Sequence, residues 1–300
     1  MELRQLRYFM AVSRCRSFTR AAERERIAQP SLSQQIRKLE DELGARLFDR
    51  LGRKIRLTAF GDRFQEHARR VLEEVEGARQ EIQELLGLRR GSLFVGAIPT
   101  VAPYYLPAAL QAYARSYPEI QVNVREDLTA SLLNYLRDGE LDLALMSLPV
   151  DGTDLIAAAL KIEKLFLVVP SSSPKWRHRD GRVAIRDIAE EPIMLLKDGH
   201  CFRDDILEIC KKARISPKVA FEGGQFDTLA AMVAAGFGIT LLPDMARSHY
   251  KRAGTRFVEF AESPPVRTIG WVRLKEKLLG PSARAFIATL EKTLVVNAAS

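Results

Sequence analysis

Two of the chain's three cysteines, Cys201 and Cys210, stand nine positions apart in the stretch Lys197-Asp198-Gly199-His200-Cys201-Phe202-Arg203-Asp204-Asp205-Ile206-Leu207-Glu208-Ile209-Cys210. Asp198-Gly199 is a turn signal, and Phe202, Ile206, Ile209 and Cys210 follow it at helical spacing, which predicts a short helix opening near Cys201. A sulfur at that end faces unpaired backbone N–H groups and the positive end of the helix dipole, both of which favour a thiolate. His200 and Arg203 add charge or hydrogen bonds, so the expected chemistry is that of a reactive sulfur. Nine residues of helix rise about 13–14 Å, whereas a disulfide tolerates Cα separations of only about 4.4–6.8 Å. A bridge between the two would therefore unwind the helix, and an order change of that kind works as a switch. Free cysteine is also among the most buried residue types, so two small hydrophobes sharing a helix fit the same spacing.

The elements that must position these sulfurs follow from the rest of the chain. Its 300 residues are 47% apolar and 28% charged, enough for two or three domains with ordinary cores. Three cysteines without framework spacing argue for a reducing compartment, and the start Met1-Glu2-Leu3-Arg4-Gln5-Leu6-Arg7 does not read as a signal peptide. With no run of eighteen apolar residues, a cytoplasmic protein without a membrane span is expected. The net charge of +8 is concentrated: residues 1 to 70 carry 17 Lys and Arg against 9 Asp and Glu, while the remainder balances at 29 against 29. A compact basic module on a neutral chain is the electrostatic footprint of nucleic-acid binding.

In that module Leu3, Leu6, Phe9, Met10 and Val12 have helical spacing, and Ser17 offers a cap for a second helix through Ala21-Ala22. Pro30 suits the first turn of a third helix, from Ser31 to Leu43, which Gly44 ends. This is a helix-turn-helix: Ser31, Ser33, Gln34, Arg37 and Lys38 project toward a major groove, while Leu32, Ile36, Leu39 and Leu43 face inward. Cys15 is expected to pack on the inner face of the first helix. Short extended pieces around Gly52 read as a basic wing whose Arg50, Arg53, Lys54 and Arg56 reach phosphates.

Ala21-Ala22, Gln29-Pro30-Ser31-Leu32-Ser33, Leu39-Glu40, Gly44, Leu47-Phe48 and Leu57-Thr58 with Gly61 resemble the winged helix-turn-helix of LysR-type transcriptional regulators. Glu25 departs from that pattern, which has an apolar residue packing between the helices there. Phe64, Ala68, Val71, Val75, Ala78, Ile82 and Leu85 alternate steps of four and three, a heptad seam expected to dimerise the chain. The resembled family likewise pairs through this helix, so two recognition helices would read two half-sites on double-stranded DNA.

After a Gly- and Arg-rich hinge at 87–91, Ser92–Ala97, Val122–Arg125 and Leu141–Met146 read as strands separated by helical patterns. Phe166–Pro170 and Arg267–Val272 look like strands crossing to a second lobe and back. The whole resembles the two-lobed, periplasmic-binding-protein-like α/β effector domain of LysR-type regulators. The expected division is a mainly α winged helix-turn-helix at 1–60, a linker helix and hinge at 61–90, and a regulatory domain at 91–300. Its lobe I comprises 91–163 and 267–300, and its lobe II 164–266.

Within that family, Asp198-Gly199-His200-Cys201, Arg203-Asp204 and Cys210, with Ala234-Ala235-Gly236 and Gly238–Pro243, resemble the hydrogen-peroxide-sensing OxyR group; Lys197 departs from an acidic residue there. The resemblance implies that Cys201 is oxidised and forms a disulfide with Cys210. It further implies that Thr100, Thr129, His200 and Arg267 bind and polarise peroxide. No enzyme, cofactor or metal is expected; the partners implied are DNA, peroxide, RNA polymerase and further copies of the chain as a homodimer or homotetramer. Two other readings stay open: a regulator that binds a small effector between its lobes, with Thr100 and Thr129 on a carboxylate, and a thiol peroxidase. Against the latter stands the absence of a Cys-x-x-Cys motif in a thioredoxin-like setting.

Overall fold

The computed structural model describes residues 1–51, 54–85, 91–176, 182–250, 254–261 and 264–296, and it divides into two compact units, Met1–Leu88 and Arg89–Ser300. Residues 87–90 of the expected 87–91 hinge and the wing residue Arg53 fall outside the described residues, as do the side chains of Arg50, Lys54 and Leu85, while Gly91 begins the first strand of the second unit.

In the first unit α1 (Leu3–Cys15), α2 (Phe18–Arg24) and α3 (Gln29–Leu43) surround a core that includes Leu6, Phe9, Ala21, Leu32, Ile36 and Leu39. The Ser17 hydroxyl accepts the Arg20 N–H at 3.4 Å and starts α2; Pro30 occupies the first turn of α3, and Gly44, at φ 65°, ends it. A two-stranded wing, β1 (Phe48–Leu51) and β2 (Lys54–Leu57), pairs antiparallel. Glu40 anchors it by accepting the Leu47 and Phe48 N–H groups at 2.8 and 3.2 Å. At Gly61 the chain passes so close to the wing's entry that an added Cβ would lie 2.2 Å from the Leu47 carbonyl oxygen.

Helix α4 (Ala59–Leu85) carries the heptad seam, and the structure divides that seam. Phe64 and Ala68 do not await a partner, because they pack into the core of their own unit. Val71 and Ile82, by contrast, are 42% and 56% exposed. Leu43 also departs from expectation: at 40% exposed it is the last residue of α3, next to the Gly44 turn, rather than facing inward. Cys15 is half-buried against the core, and Glu25 caps the C-terminus of α2, half-buried.

The second unit runs β3 (Gly91–Ala97), α5 (Ala102–Ser116), β4 (Ile120–Glu126), α6 (Thr129–Arg137), β5 (Leu143–Leu148) and the long β6 (Leu155–Pro170). It continues with β7 (Arg182–Val183), β8 (Pro192–Leu196), α7 (Cys201–Lys212), β9 (Lys218–Gly223), α8 (Phe226–Ala234), β10 (Thr240–Pro243) and α9 (Arg247–Tyr250). Strands β11 (Thr255–Phe260) and β12 (Val266–Leu274) and helix α10 (Pro281–Val296) complete it. The strand expected at Leu141–Met146 is displaced by two residues, because Gly139 turns the chain out of α6 at φ 69° and Asp142 leaves it to bond the Phe94 backbone N–H at 2.8 Å.

One eight-stranded sheet runs β4-β3-β5-β12-β6-β11-β7, with β10 also on β6. Strands β3, β4 and β5 are parallel and joined by helices, as parallel pairs require. Residues 155–164 of β6 pair with β12, and residues 165–170 pair with β10 and β11. This one strand therefore borders two separate cores. The first, lobe I, holds Leu93, Val95, Leu132, Leu143, Ile269 and Phe286; the second, lobe II, holds Val168, Met194, Phe202, Ile206, Leu229 and Leu241. Among the described residues no helix is long and apolar enough to cross a membrane.

A candidate thiol site between the lobes

Helix α7 starts where its sequence demands. Gly199 adopts φ 89°, the left-handed region that glycine enters freely, and His200 is the extended N-cap residue, so Cys201 opens the first turn. Phe202, Ile206 and Cys210 then bury into the lobe II core. Cys201, half-buried, packs instead against the lobe I core. The N-terminus of one helix thus lies in the seam between lobes.

Around the Cys201 sulfur three elements of lobe I converge. Thr129 opens α6 with a buried hydroxyl that makes no hydrogen bond of good geometry, yet it sits close enough to the sulfur to favour its ionised form. The backbone N–H of Ser147 in β5 acts in the same direction, as does the Arg267 guanidinium of β12. Burial outweighs them and pushes the Cys201 thiol up, with Asp205 adding a negative charge on the same side. The expected thiolate character is thus corrected: the helix end alone does not make Cys201 a strong acid, because the site is desolvated.

Arg267 is the hub of the site. Its Nε donates to Glu163 Oε2 at 2.9 Å, one terminal nitrogen donates to Thr100 Oγ1 at 3.2 Å, and the other to the Thr100 carbonyl at 3.2 Å. The pair is fully enclosed, with side-chain exposures of 1% and 0%. Glu163 also takes the Tyr105 hydroxyl, and the guanidinium lies 5.0 Å from the Phe202 ring centre, a cation–π distance. Thr100, Glu163 and Arg267 therefore form one satisfied polar cluster inside the interface of the lobes.

The two groups expected to add charge or hydrogen bonds near the sulfur have other surroundings. Arg203 turns away to Glu222, with a nitrogen 2.9 Å from the carboxylate, since residue 203 falls on the flank of α7 that faces β9. His200 is buried and held below the usual imidazole range, first by desolvation and then by Lys197, both of which disfavour a positive charge there. It lines a groove of about 510 Å³ together with Glu126, Asp127, Lys197, Gln225 and Thr228. Asp205 was not singled out from the sequence. It stands one turn beyond Cys201, half-buried, and its Oδ2 accepts the Ser147 hydroxyl at 3.4 Å. Burial raises its pKa, Arg267 and Ser147 pull it down, and Asp204 pushes it up. The four-residue spacing from Cys201 was the available signal. Cys210 is fully buried and its thiol is pushed up by burial alone. Both cysteines are free thiols in this state, and among the described residues no cluster of His, Cys, Asp or Glu is arranged to hold a metal ion.

In the first unit Ser31, Gln34, Arg37 and Lys38 are exposed along α3, and Ser33 is half-buried. Beside them, a hollow of about 650 Å³ is lined by Arg37, Glu40, Asp41, Arg46 and Phe48. Arg46 adds a basic group that the spacing argument did not pick out.

Two family models match the chain: the bacterial regulatory helix-turn-helix protein of the lysR family at residues 3–62, and the LysR substrate binding domain at residues 86–294. The hydrogen peroxide-inducible genes activator of Dickeya chrysanthemi is 37% identical over 273 residues, 91% of this chain and 89% of that protein. Among solved structures, a full-length OxyR variant from Pseudomonas aeruginosa superposes with a TM-score of 0.79 at 32% identity, covering 98% of this chain and 94% of that one. A hydrogen peroxide-bound OxyR mutant from Corynebacterium glutamicum gives 0.67 at 30% identity, covering 99% and 94%. The chain belongs to the LysR family of regulators.

Proposed function

We propose that this LysR-family chain is a cytoplasmic, redox-responsive transcription regulator that senses hydrogen peroxide through Cys201. The observation that carries the reading is the convergence of Thr129, the Ser147 N–H and Arg267 on a half-buried thiol at the start of α7. The Cys201 thiolate attacks one peroxide oxygen; an S–O bond forms, the O–O bond breaks, and the departing hydroxide takes up a proton and leaves as water. Thr100, Thr129, His200 and Arg267 are the groups assigned to hold peroxide and to answer charge developing on the leaving oxygen. The Cys210 sulfur then attacks the sulfenic sulfur, the S–O bond breaks, and a second water leaves as the disulfide forms. Because α7 separates the two sulfurs, this step unwinds it, and the altered lobe surface changes how the DNA-binding modules are held. Ser31, Ser33, Gln34, Arg37 and Lys38 read the operator; Arg50, Arg53 and Lys54 hold its phosphates. The exposed part of the α4 seam pairs copies into a dimer, with a tetramer and contact to RNA polymerase as the further assembly. The domain boundaries follow the same reading, with DNA binding at 1–60, the linker at 61–90 and regulation at 91–300.

A second reading, an effector-binding regulator, draws on the groove lined by Lys197, His200, Glu126 and Asp127. Thiol counting by intact mass, before and after a brief pulse of low peroxide, separates the two. Redox sensing predicts three free thiols before and one after, with Cys201 and Cys210 recovered as one linked peptide and Cys15 still reduced. Three unreacted thiols after the pulse would return the chain to the effector reading, and Cys15 as the main oxidised residue would exclude the mechanism.

A further inference from the structure

The reaction just described leaves one charged group of the site without a part. Asp205 lies four residues after Cys201, so α7 sets both side chains on one face. Ser147 fixes this arrangement from β5: its hydroxyl binds Asp205 Oδ2 at 3.4 Å, and its backbone N–H meets the Cys201 sulfur. Arg267 favours the ionised form of both groups, but its charge is shared: it pairs with Glu163 at 2.9 Å and donates to Thr100 and to the Met245 sulfur. The other groups facing the pair are the neutral Thr129 hydroxyl of α6 and, on α7 itself, the exposed Asp204, whose charge has the same sign as that of Asp205. His200 and Lys197 border the groove on the adjoining turn.

We propose that the Asp205 carboxylate sets the oxidation threshold of Cys201: a negative charge held one helical turn from the sulfur opposes thiolate formation and keeps the resting sensor slow. The physical basis is like-charge repulsion in a partly desolvated site, where it is screened far less than in water. The proposal rests on the redox reading and deepens it. Asp205 acts through the ionisation of another group, which makes it a positioning and tuning residue rather than one that touches the oxidant.

The test is the pH dependence of Cys201 alkylation by iodoacetamide in the reduced full-length chain, followed by peptide mass, for the parent, Asp205→Asn, Asp205→Ser and Asp205→Glu. Loss of the charge in the Asn and Ser variants is expected to lower the midpoint by about one pH unit. Below both midpoints that makes alkylation about tenfold faster. The Glu variant keeps the charge and stays near the parent. A midpoint unchanged or raised in Asn and Ser, or a Glu variant that shifts with them, overturns the proposal, the latter by showing that shape rather than charge matters. The rate of reaction with hydrogen peroxide is measured on the same samples. If Cys201 alkylates but no variant reacts with peroxide, the redox reading fails, while the alkylation midpoints still decide what Asp205 does to the thiol.

Discussion

Helix α7 carries one sulfur at each end, and the two ends have opposite surroundings. Cys201 is half-buried against the lobe I core, within reach of a hydroxyl, a backbone N–H, a guanidinium and a carboxylate. Cys210 is fully enclosed in the lobe II core, where burial pushes its thiol up. The same residue type is thus equipped for chemistry at one end and stored as a hydrophobe at the other. Cysteine suits both tasks, since a thiol packs like a small apolar group and reacts only as the thiolate. The contrast also orders events in the proposed reaction, because the half-buried, tunable sulfur is the one that an oxidant meets first. Joining them costs the helix that holds them about 13–14 Å apart along its axis.

The difference between the two ends depends most on Arg267. Arg267→Met removes one partner of a fully enclosed ion pair and leaves Glu163, among the described residues, with the Tyr105 hydroxyl, a loss of roughly 3–5 kcal/mol when a buried pair is broken from one side. Urea denaturation of the full-length chain reads it as a lowered midpoint. The same variant is expected to raise the pH midpoint of Cys201 alkylation, since the guanidinium favours the thiolate. No change in either quantity would mean that the cluster neither supports the fold nor reaches the sulfur. A smaller effect sharpens the comparison from the other end. Cys210→Ser places a hydroxyl in the lobe II core and costs about 1–3 kcal/mol, while leaving the alkylation profile of Cys201 where it was. After peroxide this variant accumulates a sulfenic acid at Cys201 and proceeds to higher oxides, which intact mass detects in steps of one oxygen. A shifted Cys201 profile would show that the two ends are not independent.

The sequence carried the helical frame well because capping and periodicity are local. Ser17, Pro30 and Gly44 mark helix ends by rules that act within one turn, and Gly199 opens α7 in the same way. What lay beyond it depends on which way side chains turn after long-range packing. Arg203 is adjacent to the sulfur in sequence yet pairs with Glu222 across to β9. His200 carries a residue type suited to charge, and its burial disfavours that charge. Asp205 and Ser147 meet only because β5 and α7 come from opposite lobes, 58 positions apart in the chain. Likewise Phe64 and Ala68 obey the heptad period of α4, but periodicity names an apolar face without saying which surface covers it, and the unit's own core does. What opposes the Cys201 thiolate was hidden for a related reason: a helix dipole is visible in sequence, whereas desolvation is a property of the packed interface.

Oxidation is expected to dismantle α7. Hydrogen exchange of the full-length chain, reduced and then oxidised by a brief pulse of low peroxide, tests it most directly, with the Cys201–Cys210 linkage verified by peptide mapping on the same sample. Amides from Phe202 to Ile209 are expected to lose protection in the linked form, while those of β5 and β12 keep theirs. A linked Cys201–Cys210 peptide in a segment that retains its helical protection would contradict the account.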